Sequence, residues 1–334
     1  MQVAYEQDLN KKARSIAKAT ADRDPRRALQ KFADALNLDA SAVAFALGLR
    51  GSPNNMAVEL RRWLDGNSIS PEKAESYALR AQRLLQLGES VIKPTRNLAI
   101  VHEACEHAAR RNVIVGISSR AGYGKTVGLE TYRRIRGAVY YAHDKASSTK
   151  DAMIQISLAS GLGRNMQVSI GKLRRALVNH LREIGRPLLI IDEADTIQFR
   201  TLEVLRGICD ELRCGMAMAG VEGYMERLLT EKQYGRRPEQ LLSRVVAIVK
   251  LLDPDDEEIQ MIADDYGVRG AREIDFIRQW ALVTGGYRRA RMLLEDSQEI
   301  AADIGAKKIN LAVLKRAAQY LPGQHLVENE GDPQ

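Results

Sequence analysis

The stretch Asn112–Thr126, NVIVGISSRAGYGKT, decides the fold. Its apolar run Val113-Ile114-Val115-Gly116-Ile117 predicts a buried strand, which breaks into a loop ending Gly122-Tyr123-Gly124-Lys125-Thr126. Helical spacing resumes at once in Val127–Tyr132. Strand, loop and helix with Gly-Lys-Thr at the junction is the layout of a phosphate-binding loop. Glycines there let the backbone curl, so that its N–H groups and the following helix N-terminus face phosphate oxygens. On this reading the segment Gly122, Tyr123, Gly124, Lys125, Thr126 and Val127 cradles a nucleotide. Lys125 reaches the β- and γ-phosphates, and the Thr126 hydroxyl holds Mg²⁺. The full pattern has glycine where this chain has Ser119. If that position needs positive φ, a serine is strained there.

A second stretch, Leu188-Leu189-Ile190-Ile191-Asp192-Glu193-Ala194-Asp195, supports the first. It reads as an apolar strand ending in paired carboxylates. The alternative reading of this stretch alone is a buried strand followed by a solvated acidic turn. Downstream of a phosphate loop it supplies what hydrolysis needs: Asp192 to coordinate the metal and Glu193 to orient or deprotonate the attacking water. The chain is therefore expected to bind ATP or GTP.

The 334 residues suit two or three domains, and 45% hydrophobic with 28% charged residues is ordinary globular composition. No apolar run approaches the roughly 20 residues of a membrane span. Three cysteines, Cys105, Cys209 and Cys214, fit a reducing cytoplasm and no disulfide framework. His102, Cys105 and His107 lack a fourth ligand for a closed zinc site and are expected in packing or surface roles. A formal charge of +7 favours polyanionic partners, nucleic acid above all.

Periodicity divides the chain into a basic arm (1–27), a helical helix-turn-helix-like domain (28–88), a nucleotide-binding core (89–252), a helical lid (253–322) and a tail (323–334). In the first helical domain Ala40–Leu49 takes the groove-facing position, flanked by Ser41 and Arg50, although ASAVAFALGL is very apolar for a base-reading surface. Pro71–Leu87 reads as one further helix, with 88–94 as a linker. Strands at Ala138–Ala142, Gly215–Ala219 and Val245–Leu251 alternate with helices, which predicts an α/β parallel sheet with right-handed crossovers. Two basic clusters, Arg133, Arg134 and Arg136, and Lys172, Arg174 and Arg175, carry no interleaved aromatics. Such residues neutralise phosphates and do not stack on bases.

These motifs, in this order, resemble the AAA+ ATPases. Closer still, the small helical domain, GYGKT, RALVNHL, LLIIDEAD, LLSRV and an arginine-bearing lid resemble the Mu B-type ATPases of transposing phages, with TnsC-type regulators as more distant relatives. The resemblance implies a three-layer αβα P-loop fold with a C-terminal helical lid. It also implies an ATP- and Mg²⁺-dependent protein that forms homo-oligomers or filaments on duplex DNA with little sequence preference. Such a protein presents target DNA to a transposase and stimulates strand transfer. Arg244 then matches the arginine finger donated to a neighbour, with Arg236 and Arg237 as alternatives. Arg288 matches the lid's phosphate contact, with Arg289 in reserve. Both basic clusters match DNA-facing regions. The family places a polar residue after the strand ending Ala219-Gly220, where this chain has Val221-Glu222; either Glu222 substitutes or hydrolysis is slow. A helicase loader or origin-type ATPase, an ATP-gated protein-interaction switch without a DNA role, and GTP specificity stand as alternatives.

Overall fold

The computed structural model describes residues 24–36, 38–47, 49, 53–67, 69–87, 90–163, 168–230, 241 and 243–321. The basic arm to residue 23, Arg50, Arg236, Arg237 and the tail beyond 321 lie outside the described residues.

Among the described residues four helices come first: α1 (Pro25–Ala35), α2 (Ala40–Ala46), α3 (Pro53–Leu64) and α4 (Pro71–Leu84). Prolines open α1 and α4, and Asp24 and Ser70 cap them through their side chains. The expected helix to Leu87 stops at Leu84. Beyond it β1 (Gln86–Leu87) and β2 (Ser90–Val91) pair antiparallel, exchanging helix hydrogen bonds for cross-strand ones. The second helix is not presented outward. Ala42, Val43 and Ala44 are buried, and α2 packs on α3 and on the helix that follows the phosphate loop. These buried residues, with Leu47, account for the apolar character of this stretch as packing.

The module that follows alternates as expected: α5 (Arg96–Arg111), β3 (Ile114–Ser118), α6 (Lys125–Arg136), β4 (Val139–Ala142), α7 (Thr149–Ser160), α8 (Ile170–Glu183), β5 (Leu189–Asp192), α9 (Phe199–Leu212), β6 (Met216–Gly220), α10 (Tyr224–Thr230) and β7 (Val245–Lys250). The five strands are all parallel, in the order β4-β5-β6-β3-β7. Every residue of the central strands β3 and β6 is buried, as a sheet covered on both faces requires. Alternation sorts the side chains. Ile114, Leu189, Ile191, Met216 and Met218 join a core with α7, α8 and α9. Val115, Ile117, Ile190, Ala217 and Ala219 join one with α5 and α6.

The second layer sits close to the sheet. A Cβ on Gly215 would come within 2.1 Å of the Ala108 carbonyl oxygen, and one on Gly128 within 2.8 Å of Val101. The lid follows as α11 (Asp256–Ala263), a 3₁₀ turn (Asp264–Tyr266), α12 (Ala271–Thr284), α13 (Gly286–Asp303) and α14 (Leu311–Ala318), packed round Trp280, Leu293 and Leu314. Among the described residues no helix is long and apolar enough to cross a membrane, and no group of His, Cys, Asp and Glu is placed to hold a metal by itself.

His102 is buried edge-on against Tyr132, with ring centroids 5.4 Å apart. Burial, aided by Arg136, lowers its pKa from 6.5 to about 3. The unfolded chain binds the extra proton between those values. The stability gained by keeping the ring neutral is therefore complete above about pH 6.5 and lost as pH falls towards 3, by at most about 1.4 kcal/mol per pH unit. Urea denaturation at pH 7 and pH 5 should show this loss, and His102→Phe should reduce it. By the same method Gly215→Ala should destabilise by about 1–3 kcal/mol, since its methyl meets backbone. Gly171→Ala, with nothing within 4 Å of its added Cβ, should be neutral or slightly stabilising.

Candidate nucleotide site

The phosphate loop leaves the carboxyl end of β3, beside β6, where the chain order across the sheet reverses. Open α/β sheets form their ligand crevice at such a point. Left-handed backbone falls at Gly122 (φ 81°) and Gly124 (φ 88°), and Ser119 stays outside that region. The position does not need positive φ here, so the serine carries no such strain. This buried serine instead serves Lys125, whose Nζ donates to Ser119 O (2.9 Å), Ser119 Oγ (3.0 Å) and Arg120 O (3.0 Å). All three acceptors are neutral. Burial lowers the Lys125 pKa, opposed by the nearby charges of Asp192, Glu193 and Asp195. An ammonium so placed fits an anionic ligand. The same holds for the first turn of α6, whose N-cap Gly124 offers no side-chain acceptor to the free N–H groups.

Asp192 ends β5 almost fully buried. Its Oδ2 accepts from Thr126 Oγ1 (2.8 Å) and Tyr140 Oη (2.9 Å), and its Oδ1 from the Glu193 N–H (2.9 Å). The hydroxyl of Thr126 and a carboxylate oxygen thus stand side by side. This hard-oxygen pair suits Mg²⁺, which takes few protein ligands and keeps waters or phosphates for the rest. Glu193 is exposed and lines the cavity with its backbone left-handed (φ 55°).

The cavity has a volume of about 380 Å³ and runs between the loop, the ends of β5 and β6, and the lid. On the lid side it is lined by Ile262, Tyr287, Arg288 and Arg291; on the other by Ile92, Lys93, Thr95, Leu98 and Val127. Its aliphatic end is suited to a base, its glycine end to phosphates. Loop and lid touch backbone to backbone. A Cβ on Gly122 would lie 2.0 Å from the Gly285 carbonyl oxygen, and one on Gly286 2.7 Å from the Tyr123 ring. Arg288 lines the cavity, whereas Arg289 does not; Arg291, a turn further along α13, had no signal in the sequence.

Three polar anchors fix this junction. Asn97 is fully buried and donates to Tyr123 O (3.2 Å) and Leu252 O (2.8 Å), while its Oδ1 accepts from the Leu252 N–H (2.8 Å). Glu258 of the lid accepts from the Arg96 N–H (2.7 Å), the Arg96 guanidinium (3.0 Å) and Tyr287 Oη (2.8 Å). Lys93 pairs with Asp265 at 2.6 Å. At the end of β6, Val221 lines the cavity and its N–H donates to Asp195 Oδ1 (3.2 Å). Glu222, exposed at the same strand end, pairs with Arg120 at 3.6 Å, so two carboxylates, Asp195 and Glu222, stand there.

The remaining expected residues lie elsewhere. Arg244 immediately precedes β7, and its carbonyl accepts from the Ile114 N–H where β3 begins, at the opposite end of the sheet from the cavity. A five-residue strand spans roughly 17 Å, so Arg244 does not serve its own site; it pairs with Asp210 at 3.0 Å. Arg133, Arg134 and Arg136 end α6 in the α5–α6 layer, where Arg133 pairs with Glu130 and Arg136 with Glu106. Lys172, Arg174 and Arg175 belong to α8 in the other layer, where Arg174 pairs with Glu211 at 2.8 Å. The sheet separates the two clusters.

A family model described as an AAA domain matches residues 106–229. The chain is 27% identical over 234 residues to the "ATP-dependent target DNA activator B" of Escherichia phage Mu, a match covering 68% of this chain and 72% of the relative. It is 23% identical over 248 residues to the "Mu-like prophage FluMu DNA transposition protein B" of Haemophilus influenzae, covering 72% and 84%. Among solved structures it resembles the ORC2 protein of Aeropyrum pernix (TM-score 0.54, 17% identity, 73% of this chain and 74% of that one). It also resembles Cdc6p of Pyrobaculum aerophilum (TM-score 0.52, 16% identity, 71% and 70%). At these identities the structural likeness speaks for the fold.

Asn97→Ala would strip buried partners from both ends of this junction. It should lower stability by about 1–3 kcal/mol and weaken nucleotide binding in the same variant, measured by urea denaturation and by titration with a fluorescent ATP analogue.

Proposed function

We propose that this chain, an AAA+ ATPase related to the Mu-type transposition B proteins, binds Mg²⁺–ATP in the cavity, assembles on duplex DNA and delivers that DNA to a transposase. The observation that carries the nucleotide part is the Thr126–Asp192 oxygen pair beside an ammonium and a helix N-terminus that hold only neutral acceptors. Lys125 and the N–H groups from Gly122 to Val127 take the phosphates. Thr126 and Asp192 hold Mg²⁺, which when bound neutralises phosphate charge. Glu193 positions and deprotonates the attacking water, and Arg288 reaches the phosphates from the lid.

Arg244 lies at the opposite end of the sheet from its own cavity, which supports a place for it in a neighbour's site. There its charge meets the γ-phosphate in the transition state, and the monomer by itself hydrolyses slowly. The relatives' printed descriptions, "target DNA activator" and "DNA transposition protein", support the DNA reading. Arg133, Arg134 and Arg136 on one layer, and Lys172, Arg174 and Arg175 on the other, are the proposed phosphate contacts. Their separation by the sheet favours a duplex enclosed by several subunits over one laid on a single flat patch. Binding of this kind is largely independent of sequence and weakens steeply with salt.

Electron microscopy with random duplex DNA in ATP, ADP or a non-hydrolysable analogue tests the assembly. Filaments that need both DNA and ATP are expected; closed rings would point to a helicase-loader activity, and no DNA association at low salt would overturn the DNA reading. Lys125→Ala should abolish nucleotide binding. Glu193→Gln should bind ATP normally and lose about 10²–10⁴ in kcat. Arg244→Ala should bind ATP normally and lose the DNA-stimulated rate by about 10³-fold or more.

A further inference from the structure

Helices α1–α4 do not close their core alone. Leu29, Phe32, Val43, Leu60 and Trp63 pack together with Ile92, Leu98 and Ile135, and Val127 packs against them. Ile135 and Val127 belong to α6, the helix that begins at Lys125, and Leu98 belongs to α5. Three of these residues have a second face: Ile92, Leu98 and Val127 also line the nucleotide cavity. The backbone makes the same connection, since the Ile92 N–H donates to Leu85 O just past α4, at 2.7 Å. The segment that carries Ile92 is in turn strapped to the lid by Lys93–Asp265 and Arg96–Glu258.

We infer that the N-terminal helices are a structural wall of the nucleotide site, and that nucleotide occupancy and the docking of α1–α4 on α6 are thermodynamically linked. The inference rests on the nucleotide reading of the cavity. Side chains that touch the N-terminal core on one side and the ligand on the other are ordered by whichever arrives first. A ligand that orders them must then tighten the packing of α1–α4, and the packing must tighten the ligand by the same factor. Val43, in the core and away from the cavity lining, is a positioning residue on this account.

Hydrogen exchange on the full chain, with and without Mg²⁺–ATP, tests the link without a mutation. Slower exchange is expected in α2 and α3 as well as in the phosphate loop and lid. Protection confined to the loop, α6 and the lid would overturn the inference while leaving the nucleotide reading intact; no protection anywhere would remove both. Val43→Ala is the second arm. Where it folds, its Kd for a fluorescent ATP analogue should rise about 5-fold or more, its KM for ATP should rise in parallel, and kcat at saturating ATP should hold. An unchanged Kd in the folded variant would overturn the inference.

Discussion

Two places where a side chain is missing hold this molecule in its working form. Gly122 lets the lid's Gly285 carbonyl come to where a methyl group would stand, and Gly286 admits the Tyr123 ring in the same way. Dispersion falls off within an ångström of optimal contact, so this closeness adds to the polar anchors that fix the junction. It sets where Tyr287 and Arg288 stand over the cavity. Tyr287 then meets Glu258, Glu258 meets Arg96, and Arg96 begins the helix that carries Asn97 back to the phosphate loop. The ring of contacts closes on itself, and the cavity is what it encloses.

The elements of this arrangement were legible because their signals are local. An apolar run, a glycine loop and a helix in succession require no knowledge of the rest of the chain, and the same holds for the strand that ends in Asp192. The junction between them was not legible. Glu258 and Arg96 lie 162 residues apart, and the capping box Asp255-x-x-Glu258 declares only a helix start. Asn97 sits in an ordinary helical sequence, and its burial is decided by the exit of β7. Ser119 shows a related limit: the pattern fixes a residue type, while the actual φ is set by how the loop folds back on Lys125. The two basic clusters illustrate the same limit, since charge is visible in sequence but the layer of a crossover helix is not. The apolar second helix did carry its own warning in its composition.

The charges at the junction are of two kinds. Arg96 and Glu258 are nearly excluded from water, with side-chain exposures of 14% and 5%. Such a pair fixes geometry more surely than it adds stability, because desolvation cancels much of the attraction and leaves a severe penalty for losing one partner. The arginines beside Glu106 at the ends of α5 and α6 are more open, with side-chain exposures of 74% for Arg110 and 33% for Arg136. They contribute little to the fold and keep their charge available. The ion pair beside the cavity is thus held rigidly, while those on the outer face of α5 and α6 are held loosely.

Glu193 occupies a backbone conformation that glutamate disfavours by about 1–2 kcal/mol, and glycine there would relieve the chain. A glycine would also remove the carboxylate from the rim of the cavity. The position is thus one at which improving the protein as a folded object and preserving it as a chemical one pull in opposite directions. Selection for thermal robustness alone would favour its loss, as at the other left-handed positions Asn112, Arg186 and Arg213, whereas on the role proposed for Glu193 its persistence in a variant would mark selection for turnover.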